Sequence, residues 1–492
     1  MNNAGLFANA ALLLWIPLGI GLFFVMRPEK AALITIFGGL MFLPEVISFR
    51  IPLVPPLGKQ IIPYFAVLLG YTFRSPGRVW RLPRERWVLV VVLIMIVDGI
   101  GLAMTNGDSL TYGFWRKIEL PGLGIKDGMF VALSGIFRMA VPFFVGAAVV
   151  REVSDLEELL RFLVKAGLVY GPFALFEIRM SPQLHYWIYG YYQHDFIQSI
   201  RFGGYRPTVF MAHGLTVALF FAVCVLASAT LTRLPPRRIW GMSARTTTLI
   251  LAVVLLLCKS TGTIVYVITI GPLLYFASYK MQRRVAVLLA VVVLLYPSMR
   301  QSDVFPTAAL LSAAQLAGQD RADSMAYRFT NEDMLLKKAR QRPWFGWGEY
   351  GRNEVYNENA KMISVTDGQW IIALGITGFV GFIATFGLLL IPLFLVGRRL
   401  RKTTDRGERT LIAATSLILA VTAVDLLPNS LASNYPYFIS GALLSASAAL
   451  SRIRPPPETT FEAELDFSQP DPAQGSTETG WGRSADPSGS AV

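Results

Sequence analysis

Three arginines stand where the surrounding sequence gives them chemical work. Arg201 and Arg206 close an aromatic-rich stretch just before an apolar run opens at Pro207, and Arg328 lies inside the long polar segment from Arg300 to Asp367. A guanidinium grips a phosphate with two parallel N–H bonds and does not lose its proton, so such a group suits an anion like a diphosphate. Gly203 and Gly204 would let backbone amides approach the same anion. Two carboxylates could take up a proton beside it. Asp367, where the long segment meets the next apolar run, is the first candidate, and Glu177, near the end of another run, is the second. Tyr192, Tyr205 and His213 are the sugar-binding candidates, because aromatic faces stack on pyranose rings while polar edges reach the sugar oxygens.

Each of these residues also has a plainer use. The outer arginines could reach lipid headgroups. Arg328 could pair with Glu332 one helical turn on, and Asp367 could cap the helix that begins at Gly368. Tyrosines and tryptophans between Tyr186 and Tyr205 would also suit the aromatic belt of a membrane interface.

The elements that must position them are membrane spans. The chain has 492 residues, 53% of them hydrophobic and only 16% charged, which is not the composition of a soluble domain. About thirteen apolar runs follow one another, some short against the roughly twenty residues a bilayer requires. They run from about 8 to 26, 31 to 49, 61 to 73, 87 to 104, 128 to 150, 160 to 178, 207 to 231, 246 to 258, 261 to 276, 285 to 298, 368 to 396, 410 to 427 and 435 to 450. The expectation is an all-α, polytopic helix bundle of 12–13 spans over residues 1–453, with one large outer loop over 299–367. A tail over 454–492, rich in Pro, Ser, Gly and acidic residues, is expected to be disordered and cytoplasmic.

Positive residues gather in alternate links: Arg74 to Arg86, Arg233 to Arg245, Lys280 to Arg284 and Arg398 to Arg409. That alternation places these links on the cytoplasmic side, and leaves Arg50–Gln60, Thr105–Asp127, Arg179–Arg206, Arg300–Asp367 and Pro428–Asn434 outside. The same bias accounts for the net charge of +13 without nucleic acid. Glu45, Asp98, Arg138, Glu177 and Asp425 are the ionisable groups within spans. Cys224 and Cys258 both fall in apolar runs, and His185, His194 and His213 lack the companion ligands of a metal site, so neither a disulfide framework nor a metal is expected.

Between Pro343 and Gly348, and again at Gly375, Gly378 and Gly381, glycines recur on either side of Asp367. With the Arg206-Phe210-His213-Gly214 series, the Lys259-Ser260-Thr261-Gly262 link and Arg328, that order resembles the O-antigen ligase and O-antigen polymerase superfamily of bacterial inner-membrane glycosyltransferases. The resemblance covers roughly Gly128 to Val396. It implies a GT-C-like, metal-independent, inverting enzyme without a cofactor, working at the periplasmic face on an undecaprenyl-diphosphate-linked glycan. Arg206 and Arg328, with Arg201 beside them, then hold the diphosphate. Membrane lipid is an implied partner and a chain-length regulator protein an optional one; nucleic acid is not. Ligases of the family carry a histidine near the end of the long loop where this chain has Asp367, a departure that favours an exopolysaccharide or O-antigen polymerase over a ligase. A flippase or other transporter is the rival class. Transporters often consist of repeated halves, and no internal repeat is present here.

Overall fold

Each apolar run read as a span is a helix. The computed structural model describes residues 3–79, 86–201, 203–236, 238–316, 318–430 and 433–450, which pack as one unit. The expected disordered tail lies outside the described residues, as do Arg81, Arg84 and Arg237. Among the described residues, 8 helices are long and apolar enough to cross a membrane. They are Gly5–Val25, Arg86–Thr105, Ile125–Val149, Val153–Met180, Gly214–Leu231, Tyr279–Gln301, Gln369–Lys402 and Arg406–Asp425. The remaining expected spans, Pro28–Phe42, Ile62–Arg74, Ala244–Leu257, Thr261–Phe276 and Tyr435–Ala449, are helices of 13 to 16 residues and fall short by that measure. The architecture is an all-α polytopic bundle. Among the described residues the strands form three short antiparallel hairpins in the segments expected outside, except that the first begins at Ser48, within the run expected to span as far as Phe49, because the helix there ends at Phe42.

Those outer segments do share one end of the bundle. Lys59 pairs with Glu45 at 3.3 Å and donates to the carbonyl of Phe210. Asn434 donates to the Gln60 carbonyl at 3.0 Å, Arg206 to that of Lys259 at 3.0 Å, and Arg328 to that of Pro428 at 3.0 Å. Arg342 holds Asp108 at 2.6 Å. The basic links meet at the other end: Arg233 donates to the Ala277 carbonyl at 2.6 Å, and Arg409 lies 5.2 Å from the centre of the Tyr279 ring. Positive charge in alternate links therefore corresponds to one physical end of the bundle.

That arrangement has a direct readout. A single cysteine in place of Arg81 should be shielded from an impermeant thiol reagent in intact cells, whereas one at Asn357 should be labelled. Both native cysteines are buried, so background labelling should be low. Labelling at Arg81 without labelling at Asn357 would invert the topology and remove any outward-facing site.

The long outer segment folds over the bundle. Its main element is helix Gln319–Ala339, and we refer to it as the cap helix. Lys338 near its end is buried among Tyr112, Trp347 and Tyr356, while the fully buried Arg352 donates to the carbonyls of Trp347 and Pro121. Pro343–Gly348 then turns down against helix Gln369–Arg399, which is kinked: Gly378 has φ 63° inside it. A break in a helix leaves backbone groups without partners, and in a membrane they must be satisfied by protein. Here the turn supplies them. Trp347 N donates to Gly375 O at 2.8 Å, Gly348 N to Ile376 O at 2.9 Å, Phe379 N to Pro343 O at 2.7 Å and Val380 N to Trp344 O at 3.1 Å.

The two glycine clusters are thus the two halves of one backbone interlock. A Cβ on Gly378 would come within 2.4 Å of the Trp344 carbonyl, at a φ that L-residues resist. Gly378→Ala should therefore cost roughly 2 kcal/mol or more, strain and overpacking together. The measurement is the thermal midpoint and the folded yield of the purified protein in detergent.

Candidate functional site

Arg206 is placed by a hairpin and a lock. Strands Ile200–Arg201 and Gly204–Tyr205 pair, and Arg206 N donates to Ser199 O at 2.7 Å. The segment after it was expected to be helical from Pro207, but the helix starts only at Gly214. Glu177 explains the difference. One of its oxygens accepts the N–H groups of Thr208 at 2.9 Å and Val209 at 2.7 Å, and the other accepts that of Leu184 at 3.0 Å. Tyr170 adds its hydroxyl to Phe210 N at 3.1 Å. These bonds compete with the first helical turn and hold Val209 at φ 49°. Glu177, the second candidate for proton acceptor, is fully buried with three backbone donors on it, and its evident work is to hold the loop that carries Arg206.

Arg206 is 8% exposed. It donates through Nη2 to the Lys259 carbonyl, and its buried Nε has no partner. Its stem lies against Gly214, where a Cβ would stand 2.3 Å from Cδ; that close approach accounts for the glycine. Burial first, then the charges of Arg201 and Arg328, push Arg206 down to about 10, which still leaves it charged at neutral pH. Arg201 is exposed, and its carbonyl accepts Lys259 Nζ at 3.1 Å. Lys259 itself has φ 54° in the link between two helices. It joins the hairpin of Arg201 to the side chain of Arg206. Its marks in the sequence are its place in the Lys259-Ser260-Thr261-Gly262 link and its isolation between two apolar runs.

Arg328 arrives from the cap helix. Its Nη1 donates to the Pro428 carbonyl, and its Nε stands 3.7 Å from an Asp367 carboxylate oxygen. The plainer alternative, a pair with Glu332, is not formed. Glu332 points instead to Arg300, whose Nε is 3.3 Å away. Asp367 is not a cap either: the N-cap of the next helix is Gly368, and Gln369 N donates to Leu426 O and Asn429 O. The structure thus brings together Arg328 and Asp367, two residues that were chosen separately.

His213 caps helix Gly214–Leu231 by accepting Leu215 N on Nδ1 at 3.0 Å, which leaves its proton on Nε2. Burial, then His194, Arg206, Arg201 and Arg328 in that order, push its pKa down to about 4, so it is neutral. Its ring meets His194 edge-on at 4.4 Å. Tyr192 stacks on Tyr186 at 4.9 Å and meets Phe196 at 5.8 Å, and Phe196 reaches Tyr205 at 6.2 Å, forming an aromatic row beside the arginines. His185, by contrast, is a buried tie, bonded to Tyr191 O and to the backbone N–H of Glu45.

The other ionisable residues read as lying within spans have separate surroundings. Asp425 is hydrogen bonded to Tyr266 and Asn429 and lies within electrostatic reach of Arg328. Asp98 is buried with one oxygen unpartnered. Arg138 lies in a π-helical turn, Ile136–Ala140, within electrostatic reach of Glu349 and Tyr437. Among the described residues no group of three or more His, Cys, Asp or Glu could hold a metal ion.

What this end of the bundle brings together is three guanidiniums within electrostatic reach of one another, a neutral imidazole, a carboxylate and an aromatic flank. No curated protein matches the chain. A family model described as O-antigen ligase matches residues 246–386, a stretch that contains Lys259, Arg328, Asp367 and the glycine interlock but neither Arg201 nor Arg206. Over residues 246–386, then, the chain is similar to the O-antigen ligase family.

Proposed function

We propose that the protein is a glycosyltransferase of polysaccharide assembly that polymerises oligosaccharide repeat units carried on undecaprenyl diphosphate, at the periplasmic face of the bacterial inner membrane. The observation that carries this reading is the meeting of Arg201, Arg206 and Arg328 at one end of the bundle with Asp367 beside Arg328. An acceptor hydroxyl attacks the anomeric carbon as the bond to the diphosphate breaks, so the configuration inverts. The diphosphate leaves with the electron pair, and the hydroxyl proton passes to the Asp367 carboxylate. Guanidiniums already aimed at the diphosphate stabilise the charge that grows on it, a contribution that does not wait for solvent to reorganise.

Tyr192, Tyr205 and His213 flank this path as the glycan-binding side. Arg206 has a buried Nε without a hydrogen-bond partner, which leaves it a donor to spare. Neither a cofactor nor a metal has a part in the step.

The experiment is repeat-unit extension by purified protein on a lipid-diphosphate donor in the presence of a chelator. Extension supports the reading, and a strict metal requirement counts against it. The family description favours a second reading, in which the same site ligates a finished glycan to a lipid or protein acceptor. Product analysis separates the two: a polymerase lengthens the glycan on its diphosphate carrier, whereas a ligase moves it off the carrier.

A further inference from the structure

One turn beyond Arg328 the cap helix buries Glu332, which is 6% exposed. Its Oε1 accepts the indole N–H of Trp370 at 3.3 Å. Its Oε2 accepts the hydroxyl of Tyr296 at 3.2 Å and lies 3.3 Å from Arg300 Nε. Trp370 is fully buried in the first turn of the kinked helix, three residues after Asp367, and its ring meets Tyr296 edge-on at 4.9 Å. Tyr296 and Arg300 end helix Tyr279–Gln301, and Arg300 also donates to Asp333 at 2.7 Å. One carboxylate therefore joins the helix that carries Arg328, the helix start that follows Asp367, and a third helix beneath both.

We infer that Glu332 is the positioning residue for the Arg328–Asp367 couple: it sets the height and rotation of the cap helix so that the Arg328 fork faces the anion beside Asp367. The inference rests on the glycosyltransferase reading of those two residues. A buried ion pair is a poor source of stability, since apolar residues of similar volume serve as well or better. What a carboxylate shared between two rigid rings and a guanidinium supplies is direction. An error of 1 Å at a reacting site can cost on the order of a hundredfold in rate.

A purely structural role and a positioning role part company in their pH dependence. Burial raises the Glu332 carboxyl to about 6, against the opposing effects of Arg300, Trp370 and Tyr296, with Asp333 adding to the rise. The folded protein then binds a proton more readily than the unfolded chain between the ordinary carboxyl range and about pH 6. From this group, stability rises as pH falls through that window. Positioning requires the charged form, so activity falls over the same window. The groups facing Glu332 are Tyr296 and Arg300 from one helix, Trp370 from another, and Asp333 on its own.

The test uses the full-length protein in detergent or nanodiscs. It measures repeat-unit extension on a lipid-diphosphate donor and binding of undecaprenyl diphosphate. Glu332→Gln, which fills the same volume, should lower kcat/KM for the donor at least about tenfold, with a thermal midpoint close to that of the wild type. It should also abolish the acid loss of activity that the wild type shows below about pH 6.

The double-variant comparison uses Arg328→Lys, which retains measurable activity. Lysine has no planar fork to aim. Glu332→Gln added to Arg328→Lys should therefore cost no more than about twofold to threefold further, a non-additivity expected of groups acting as one unit. Losses that multiply, or a Glu332→Gln enzyme that turns over like the wild type, would overturn the inference. Should Glu332→Gln not fold, Tyr296→Phe removes one of its donors while keeping the ring and Trp370→Phe removes the other while keeping an aromatic side chain, and the same non-additivity with Arg328→Lys is expected. If Arg328→Ala binds and turns over the donor normally, the functional reading falls with the inference. If it does not, while Glu332→Gln behaves as wild type, only the inference falls.

Discussion

Arg206→Ala and Arg328→Ala are each expected to abolish polymer formation while leaving the amount of protein in the membrane nearly unchanged. Removing one preorganised donor from a developing oxyanion costs about 10²–10³ in rate, and an arginine that presents a two-pronged grip to a diphosphate should lie at or beyond the upper end. The folds around the two residues differ enough to separate binding from structure. Arg206 is nearly buried and gives the Lys259 carbonyl its hydrogen bond, so its alanine variant should lose some stability as well. Arg328 is about a third exposed and makes one backbone bond, to Pro428, so its variant should lose activity without measurable loss of fold.

Lysine should rescue each position only in part, because it restores a point charge but not the planar fork. Arg201 is exposed, and its alanine variant should cost less than either. The measurement is extension by purified protein at saturating and limiting donor, and full activity in both alanine variants would sink the diphosphate grip.

The spans were legible in the sequence because hydropathy and positive charge are properties of a stretch and need no knowledge of what it packs against. The basic links converge at one end, as their alternation required. Arg201, Arg206 and Arg328 were legible for the related reason that arginine outside the cytoplasmic bias asks for an explanation. What escaped was pairing over long separations. Arg328 has a helical neighbour of opposite charge at Glu332, and periodicity alone favours that pair. It is overruled because burial turns Glu332 toward Arg300, Tyr296 and Trp370, and Asp367 then becomes the carboxylate within reach.

Helix Gly214–Leu231 starts late for a similar reason, since the N–H groups of Thr208 and Val209 are taken by Glu177 from another helix. Apolar composition could not reveal that. The glycines at Gly346 and Gly378 were visible as punctuation, but that they fit one another required the kink and its four backbone bonds to be seen together.

Asp367→Asn should lower kcat by about a hundredfold or more, the scale on which a positioned proton acceptor contributes. Donor KM should stay level or fall. On the proposed mechanism the two parameters move differently because Asp367 would meet the two substrates in different ways. Toward the donor it is a competitor: its carboxylate stands 3.7 Å from Arg328 Nε, and an amide there leaves the guanidinium free for the diphosphate. That pair is more than a third exposed on the Asp367 side, so its loss is worth well under about 1 kcal/mol and the gain in donor affinity at most a few-fold. Toward the acceptor it is the place for the proton, and an amide cannot take one. Stability should barely move, since the helix that follows is capped at Gly368 without help from Asp367. Single-turnover extension with preloaded donor isolates the chemical step. A rate within a few-fold of wild type there would mean that the leaving diphosphate and its arginines suffice, and would remove Asp367 from the mechanism while leaving the arginine site intact.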